Sequence, residues 1–184
     1  EKIVQQLSFN DFVAALDRND EDRDVQFGND NLKQEWYWNY EFNAEYRLPN
    51  DIGVASARVF YEDWTDRIER IDVSPSKENL QGASGNVGDG EKYGLELNSS
   101  TRMRMIGLPN LLINASVSVE DSRITDPFLG IDRRFSFSWR GRQTLSFRHD
   151  IPSKRMNWGV RYSNSQDGNR KFYDLIDIEV WDSD

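Results

Sequence analysis

Between Trp36 and Tyr61 the chain reads WYWNYEFNAEYR, LPND, IGVASARVFY, and no other stretch limits the fold as tightly. Trp36, Trp38, Tyr40, Phe42, Ala44, Tyr46 and Leu48 take every second position, with Asn39, Glu41, Asn43, Glu45 and Arg47 between them. A period of two is a strand with one apolar and one polar face. Leu-Pro-Asn-Asp then reverses the chain, because proline fixes φ and Asn and Asp tolerate tight turn geometry. The two halves read as a long β-hairpin with a very short connection. Its second strand continues through EDWTDRIERI, where Trp64 and Ile68 stand among charged residues as far as Pro75. A strand over 52–71 is several times the usual globular length of about five or six residues. Such a length suits a tilted barrel strand whose end stands clear of a bilayer, since the span itself takes only about 9 to 11 residues.

The same alternation returns downstream. Tyr93, Leu95 and Leu97 oppose Glu96, Asn98, Ser100 and Arg102, and IGLPN turns the chain back. Leu111, Ile113, Ala115, Val117 and Val119 then oppose Asn114, Ser116, Ser118 and Glu120. RQTLSFRH and MNWGVRYSN form a further pair around HDIPS, and KFYDLIDIEVW reads as a last strand. Other stretches read as connections: VSPSKENLQGASGNVGDGE is a long Gly-, Ser- and Asn-rich loop, DPFLGIDRRFSFSWRG another, and SQDGN a shorter third. Near the N-terminus, Phe9, Phe12, Val13 and Leu16 fall at helical spacing behind Asn10 or Asp11, which predicts a short surface helix over 8–16.

Two motifs are weighed and set aside. Asp17, Asn19, Glu21 and Asp24 hint at a calcium loop, but Asp22 and Gly28 stand where an EF-hand needs its glycine and its bidentate glutamate. A solvated acidic loop is the plainer reading. GNVGDG lacks the Lys-Ser/Thr of a phosphate-cradling loop and a following helix. No metal and no cofactor is therefore implied.

Composition narrows the classes further. Of 184 residues 37% are hydrophobic and 30% charged, low in apolar content for a compact domain, yet six Trp, seven Tyr and ten Phe are too many for a disordered chain. A net charge of −9 with no uninterrupted basic patch argues against nucleic acid as a partner. Without cysteine there are no disulfides, thiolate metal sites or cysteine nucleophiles. No apolar run is long enough for a membrane-spanning helix, which leaves membrane-spanning strands open.

The order of the connections favours strands in a membrane. LPND, IGLPN and HDIPS are short, whereas the stretches around 72–90, 126–141 and 164–170 are longer and polar. In an up-and-down meander the short turns then share one rim and the longer loops the other, as in outer-membrane barrels. The two-faced strands fit a sandwich (core and water) as well as a large barrel (lipid and hydrated lumen). Aromatic placement points to the barrel: Tyr46, Trp158 and Tyr162 lie near strand ends, while Leu, Ile, Val and Ala fill the middle of LLINASVSV. The expected fold is an all-β antiparallel up-and-down meander of about seven strands, part of a large transmembrane β-barrel. Residues 1–35 read as an extracellular loop region, 36–181 as the barrel segment and 182–184 as a tail.

GNDNLKQEWYWNYEFNAEYRL resembles a segment of the barrels of TonB-dependent outer-membrane receptors, through Gly28, Asn29, Leu32, Glu35, Trp38, Asn39, Tyr40, Glu41, Glu45 and Tyr46. VFYEDWTDRIERI is similar to the strand in which these receptors carry a Phe-Tyr pair followed by Asp-x-Ile, and GEKYGLEL to their next strand. The likeness continues through EDSRITDPFLG and HDIPSKRMNWGVRY, so it covers most of the chain by the order and spacing of its motifs. These receptors have about 22 strands around a plug, and the seven strands here look like a piece from the second half of such a barrel. Plug, partner-contacting segment and closing strand are missing from the pattern. An isolated piece is expected to associate through its open sheet edges.

The resemblance implies location in the outer membrane of a Gram-negative bacterium. It also implies import of a scarce nutrient such as a siderophore, a cobalamin or a saccharide. The energy would come from the TonB complex, engaged through the N-terminal part, and outer-membrane lipid would surround the barrel. Candidate ligand contacts are Phe128, Arg133, Arg134, Trp139, Arg140 and Arg142, arginines for an anionic ligand and Trp139 for stacking on a sugar or catecholate. The same arginines also suit loop carboxylates or lipopolysaccharide phosphates. The chain is not expected to be an enzyme: its one histidine, His149, precedes Ile-Pro in a short turn, and no serine nucleophile stands nearby. The alternative is a soluble all-β module binding carbohydrate or another ligand.

Overall fold

The computed structural model describes residues 1–12, 15–16, 25–26, 28–76, 82–127, 130–136 and 138–166. Its strands are β1 (Lys2–Val4), β2 (Ala15–Leu16), β3 (Val25–Gln26), β4 (Trp36–Arg47), β5 (Gly53–Asp72), β6 (Gly82–Met103), β7 (Leu108–Thr125), β8 (Asp132–Arg133), β9 (Gly141–Ile151) and β10 (Met156–Gln166). One antiparallel sheet runs β1-β4-β5-β6-β7-β9-β10, with β8 also on β7, and β2 and β3 form a separate ribbon. Neighbours in the sheet are successive long strands, so the expected meander is present. Among the described residues the sheet is open, not closed into a barrel. The reading of 171–181 as a strand, the positions Asp17, Asn19, Glu21 and Asp24, and Phe128 lie outside the described residues.

Three tight turns share one end. The first is a short 3₁₀ turn at Pro49–Asp51, closed by Leu48 N–H donating to Gly53 O at 2.9 Å, with Asn50 and Asp51 at positive φ. The second, Arg104–Ile106, ends at Gly107 with φ 79°, a backbone that glycine adopts without strain. The third, Pro152–Lys154, ends at Arg155 in the same left-handed region. The opposite end carries the β5–β6 connection and the segment between β7 and β9.

Register settles the two faces. On one, Tyr40, Tyr61 and Tyr93 lie abreast. Below them come Phe42, Val59, Leu95 and Val119, then Ala44, Ala57, Leu97 and Val117. The next row is Tyr46, Ala55, Ser99, Ala115, Leu145 and Tyr162. The other face carries Asn43, Arg58, Glu96, Ser118 and Arg142 in one row and Glu45, Ser56, Asn98, Ser116, Thr144 and Ser163 in the next. These polar side chains bind one another across strands. Arg58 bridges Glu41 at 2.9 Å and Glu96 at 3.1 Å, and Lys92 meets Glu120 at 3.2 Å. Ser100 donates to Asn114 Oδ1 at 2.7 Å, and Asn114 donates to Ser146 at 3.3 Å.

Two sequence expectations are corrected. Residues 82–90, GASGNVGDG, read as loop but form the first part of β6. Their glycines make room for neighbours: a Cβ on Gly85 would lie 2.1 Å from Ile71 Cδ1, and one on Gly90 2.7 Å from the Phe135 ring. The helix expected over 8–16 is a single 3₁₀ turn at Phe9–Asp11, held by Ser8 N–H donating to Asp11 Oδ2 at 2.6 Å, and residues 15–16 belong to β2. A local cap satisfies that turn without a longer helix.

Candidate functional site

Beyond the tyrosine row, β5, β6 and β7 continue away from the short turns, and there the fold acquires a buried core. Between Trp64 and Ile68 the pairing is irregular in both strands, with Asp66 of β5 at φ 53° and Gly88 of β6, the partner of Arg67, at φ 107°, and the register resumes unchanged at Ile68 and Asn86. The kink in each strand turns the side chains after it onto the opposite face. Arg67, Glu69 and Ile71 thereby come onto the face that carries Trp64. Trp64, Val87, Ile124 and Phe135 form the core, with Tyr37 and Ile71 against it.

Two connecting segments fold onto this extension from opposite flanks. Segment 28–35 is clamped to β6: Asn29 Nδ2 donates to Ser84 O at 3.0 Å, Lys33 N–H to Asn86 Oδ1 at 2.8 Å, and Asn86 Nδ2 back to Lys33 O at 2.9 Å. Leu32 and Glu35 are buried by it. The segment between β7 and β9 inserts Phe135 over Gly90, edge-on to Trp64 with ring centroids 5.9 Å apart. Its backbone is held by Phe135 N–H donating to Ser122 Oγ at 3.0 Å and Ser136 N–H to Glu69 Oε1 at 2.9 Å.

A chain of charges runs across both. Glu35 accepts from Arg67 Nη1 at 2.9 Å and from Ile68 N–H at 2.8 Å. Arg67 Nε lies 3.9 Å from Glu69, Glu69 lies 2.8 Å from Arg133 Nη1, and Arg133 Nε lies 2.7 Å from Asp126. Side-chain exposure is 3% for Glu69, 2% for Arg133 and 0% for Asp126, so none of these charges has water as a substitute partner. Removing one member of such a pair leaves the other buried and uncompensated, at a cost of about 3–5 kcal/mol. Arg67 also lies over the Trp64 and Phe135 rings, at 4.5 and 5.2 Å, and Tyr37 stacks on Trp64 at 4.0 Å. Burial works against the Arg133 charge, but Glu69 and Asp126 more than offset it and hold the guanidinium pKa above its ordinary value.

The expected ligand contacts are scattered by this arrangement. Arg133 is spent inside the ionic chain. Arg134 is tied to Asp121 Oδ1 at 2.7 Å and donates to the carbonyls of Glu120 and Trp139. Trp139 is partly exposed, with the Arg142 guanidinium 5.0 Å from its ring centre. Arg140 joins the sheet through its backbone, accepting from Glu120 N–H and donating to Gln166 O, while its side chain faces solvent. Trp139, Arg140 and Arg142 thus remain together as an accessible group. Sequence reasoning did not single out Arg67, Glu69, Asp126 and Phe135, and named Glu35 for the family resemblance alone. Glu69 and Ser136 are 67 positions apart, and only the fold brings them together. On the opposite face, Arg123 Nε donates to Asp132 Oδ2 at 3.0 Å and Thr125 to Asp132 Oδ1 at 2.9 Å, fastening β8 to β7. Among the described residues no group of three or more acidic or histidine side chains is placed to hold a metal ion.

The sequence model of the outer membrane protein beta-barrel family matches residues 8–173. The chain belongs to that family. No curated protein and no solved structure matches it. Membership places the protein in the outer membrane of a Gram-negative bacterium and sets aside the soluble-module alternative. Among the described residues no helix is long and apolar enough to cross a membrane, and in this family the crossing is made by strands. The face with Phe42, Val59, Leu97 and Val117 meets lipid, the tyrosine row marks an interface, and the polar face lines the interior. Barrels of this kind keep short turns on the periplasmic side. The two folded-over segments and their ionic chain therefore stand at the cell exterior.

Proposed function

We propose that this barrel segment belongs to a TonB-dependent receptor that binds and imports a scarce nutrient, a siderophore, a cobalamin or a saccharide, without breaking a bond in it. The observation that carries the reading is the exterior end of the polar face. Two segments are fixed there in advance over the strands, and Trp139, Arg140 and Arg142 are left accessible beside them. Binding to a surface whose loops are already ordered loses less conformational entropy than ordering them on contact. An aromatic ring with guanidinium groups beside it suits a flat or anionic ligand, by stacking and by paired hydrogen bonds. The order of motifs from Gly28 to Tyr46 and from Val59 to Ile71 supports the TonB-dependent assignment. The partners in this reading are the TonB complex, reached through the N-terminal part of the receptor, and outer-membrane lipid.

The test is transport by the full-length receptor in its native host. Uptake of a labelled ferric siderophore, cobalamin or oligosaccharide is measured in wild-type and receptor-deleted cells, with and without a protonophore. Saturable uptake that disappears with the receptor and with the proton-motive force is the expected result. Uptake that is linear in concentration and indifferent to the protonophore identifies a passive pore instead.

A further inference from the structure

We infer that the two exterior segments, 28–35 and 130–136, are mechanically coupled through Glu69 and Arg67 of β5, so that displacing one loosens the other. This goes beyond nutrient import and holds whatever the barrel carries. Neither segment touches the other in any of the hydrogen bonds or ion pairs described above; besides its clamps on β6 or β7, each is held by one of two neighbouring side chains of β5, the first by Arg67 and the second by Glu69. On one flank Arg67 grips both oxygens of Glu35, at 2.9 and 3.1 Å. On the other, Glu69 spends both oxygens on the second segment: Oε1 accepts Ser136 N–H, while Oε2 accepts Ser136 Oγ at 2.9 Å and meets Arg133 at 2.8 Å. Between them, Arg67 Nε sits 3.9 Å from Glu69 Oε1, just outside hydrogen-bond distance, and is buried without an acceptor.

That unspent donor is the coupling element. While Glu35 is in place, the Arg67 guanidinium is pulled to its flank. When segment 28–35 lifts, Arg67, whose side chain is about one-fifth exposed, loses its carboxylate while its Nε stays buried against β5. The nearest carboxylate is then Glu69, and a shift of about an ångström brings Nε within bonding distance. Glu69 would be drawn off Ser136 and Arg133, and the latch on the second segment weakens. The reverse path is the same: when Arg133 and Asp126 leave, Glu69 turns to Arg67 and competes with Glu35. Phe135 adds to this, because Arg67 lies over its ring and moves with it.

Hydrogen exchange read by mass spectrometry on the full-length protein in lipid vesicles tests this. Glu35→Gln keeps the shape and removes the charge, and residue 35 has no bond to segment 130–136. Coupling of ordinary size, about fivefold or more, predicts that amides of 130–136 exchange at least about fivefold faster in Glu35→Gln, and that Asp126→Asn accelerates 32–35 in return. Leu32→Ala loosens segment 28–35 through packing alone and gives the same remote acceleration, which keeps the test open if Glu35→Gln fails to assemble. Arg58→Met, outside the chain of charges, leaves both segments unchanged. Acceleration confined to the segment that carries or adjoins the substitution shows two independent loops and overturns the inference.

Discussion

Two single residues show how local geometry decides tolerance. The Phe60 ring packs against Gly94 of the next strand, with Arg58 and Lys92 over it at 4.6 and 5.8 Å. A Cβ on Gly94 would stand 2.7 Å from both that ring and the Val119 carbonyl. Gly94→Ala should therefore cost about 1–3 kcal/mol, the usual penalty of overpacking, read as a lower urea midpoint in lipid vesicles. Gly141→Ala, whose nearest neighbours stand 3.7 and 3.8 Å away, should leave the midpoint close to wild type. At Asp132 the effect is electrostatic. The Arg123 hydrogen bonds, then Thr125, hold its carboxyl below the usual range. A folded pKa below the unfolded value means stability that is present above the unfolded value of about 3.9 and lost as pH falls through the folded one. A carboxyl NMR titration should find the midpoint under about 3.9, and Arg123→Gln should raise it. A wild-type midpoint at the ordinary value would show that the ion pair does not form in solution.

At the scale of elements, the exterior segment between β7 and β9 depends on one aromatic more than on its own backbone. Phe135→Ala removes the ring that meets Trp64 and lies beneath Arg67. Buried Phe→Ala changes cost about 3–5 kcal/mol. Here the loss should fall on the segment and leave the transmembrane strands standing: limited proteolysis should cut within 130–140 while the heat-resistant sheet signal in circular dichroism persists. The hairpins themselves were legible in the sequence, because period-two alternation and proline-containing turns are local signals; β5 falls within one residue of its expected bounds at each end. Glycine hid the start of β6. GASGNVGDG has the composition of a loop, and its glycines are strand residues only because Ile71 and Phe135 occupy the space of their side chains. The ionic chain was equally out of reach, since Glu35, Glu69, Arg133 and Asp126 stand in charged stretches that alternation alone assigns to solvent. The kink at Asp66 turned Arg67 and Glu69 onto the core face, and no local pattern announces it. Of the candidate contacts, arginine content located the right segment but did not separate Arg133, which is buried in ion pairs, from Arg140 and Arg142.

The whole molecule is defined by having two faces with different solvents, and this is its most direct test. Leu97 lies in the middle of the apolar face, between Ala57 and Val117, and Asn98 beside it points to the polar face between Ser56 and Ser116. One position along the strand separates them. In a soluble sheet with a wet polar face and a protein core, both the charge and the bulk of Leu97→Arg would be resisted by packing, whatever surrounds the molecule. In a barrel wall Leu97 packs against acyl chains, and it is indeed exposed to whatever solvent surrounds the sheet. An arginine there costs about 2–4 kcal/mol near the bilayer midplane, falling to about 0–1 near the interfaces. Asn98→Arg faces a hydrated interior already lined by Arg58 and Glu96 and should be close to neutral. Unfolding from lipid vesicles should therefore separate the two variants by a few kcal/mol, Leu97→Arg being the weaker. Thicker bilayers should widen the gap, because they place residue 97 further from either interface. Equal stabilities in vesicles would mean that lipid does not contact the Leu97 face.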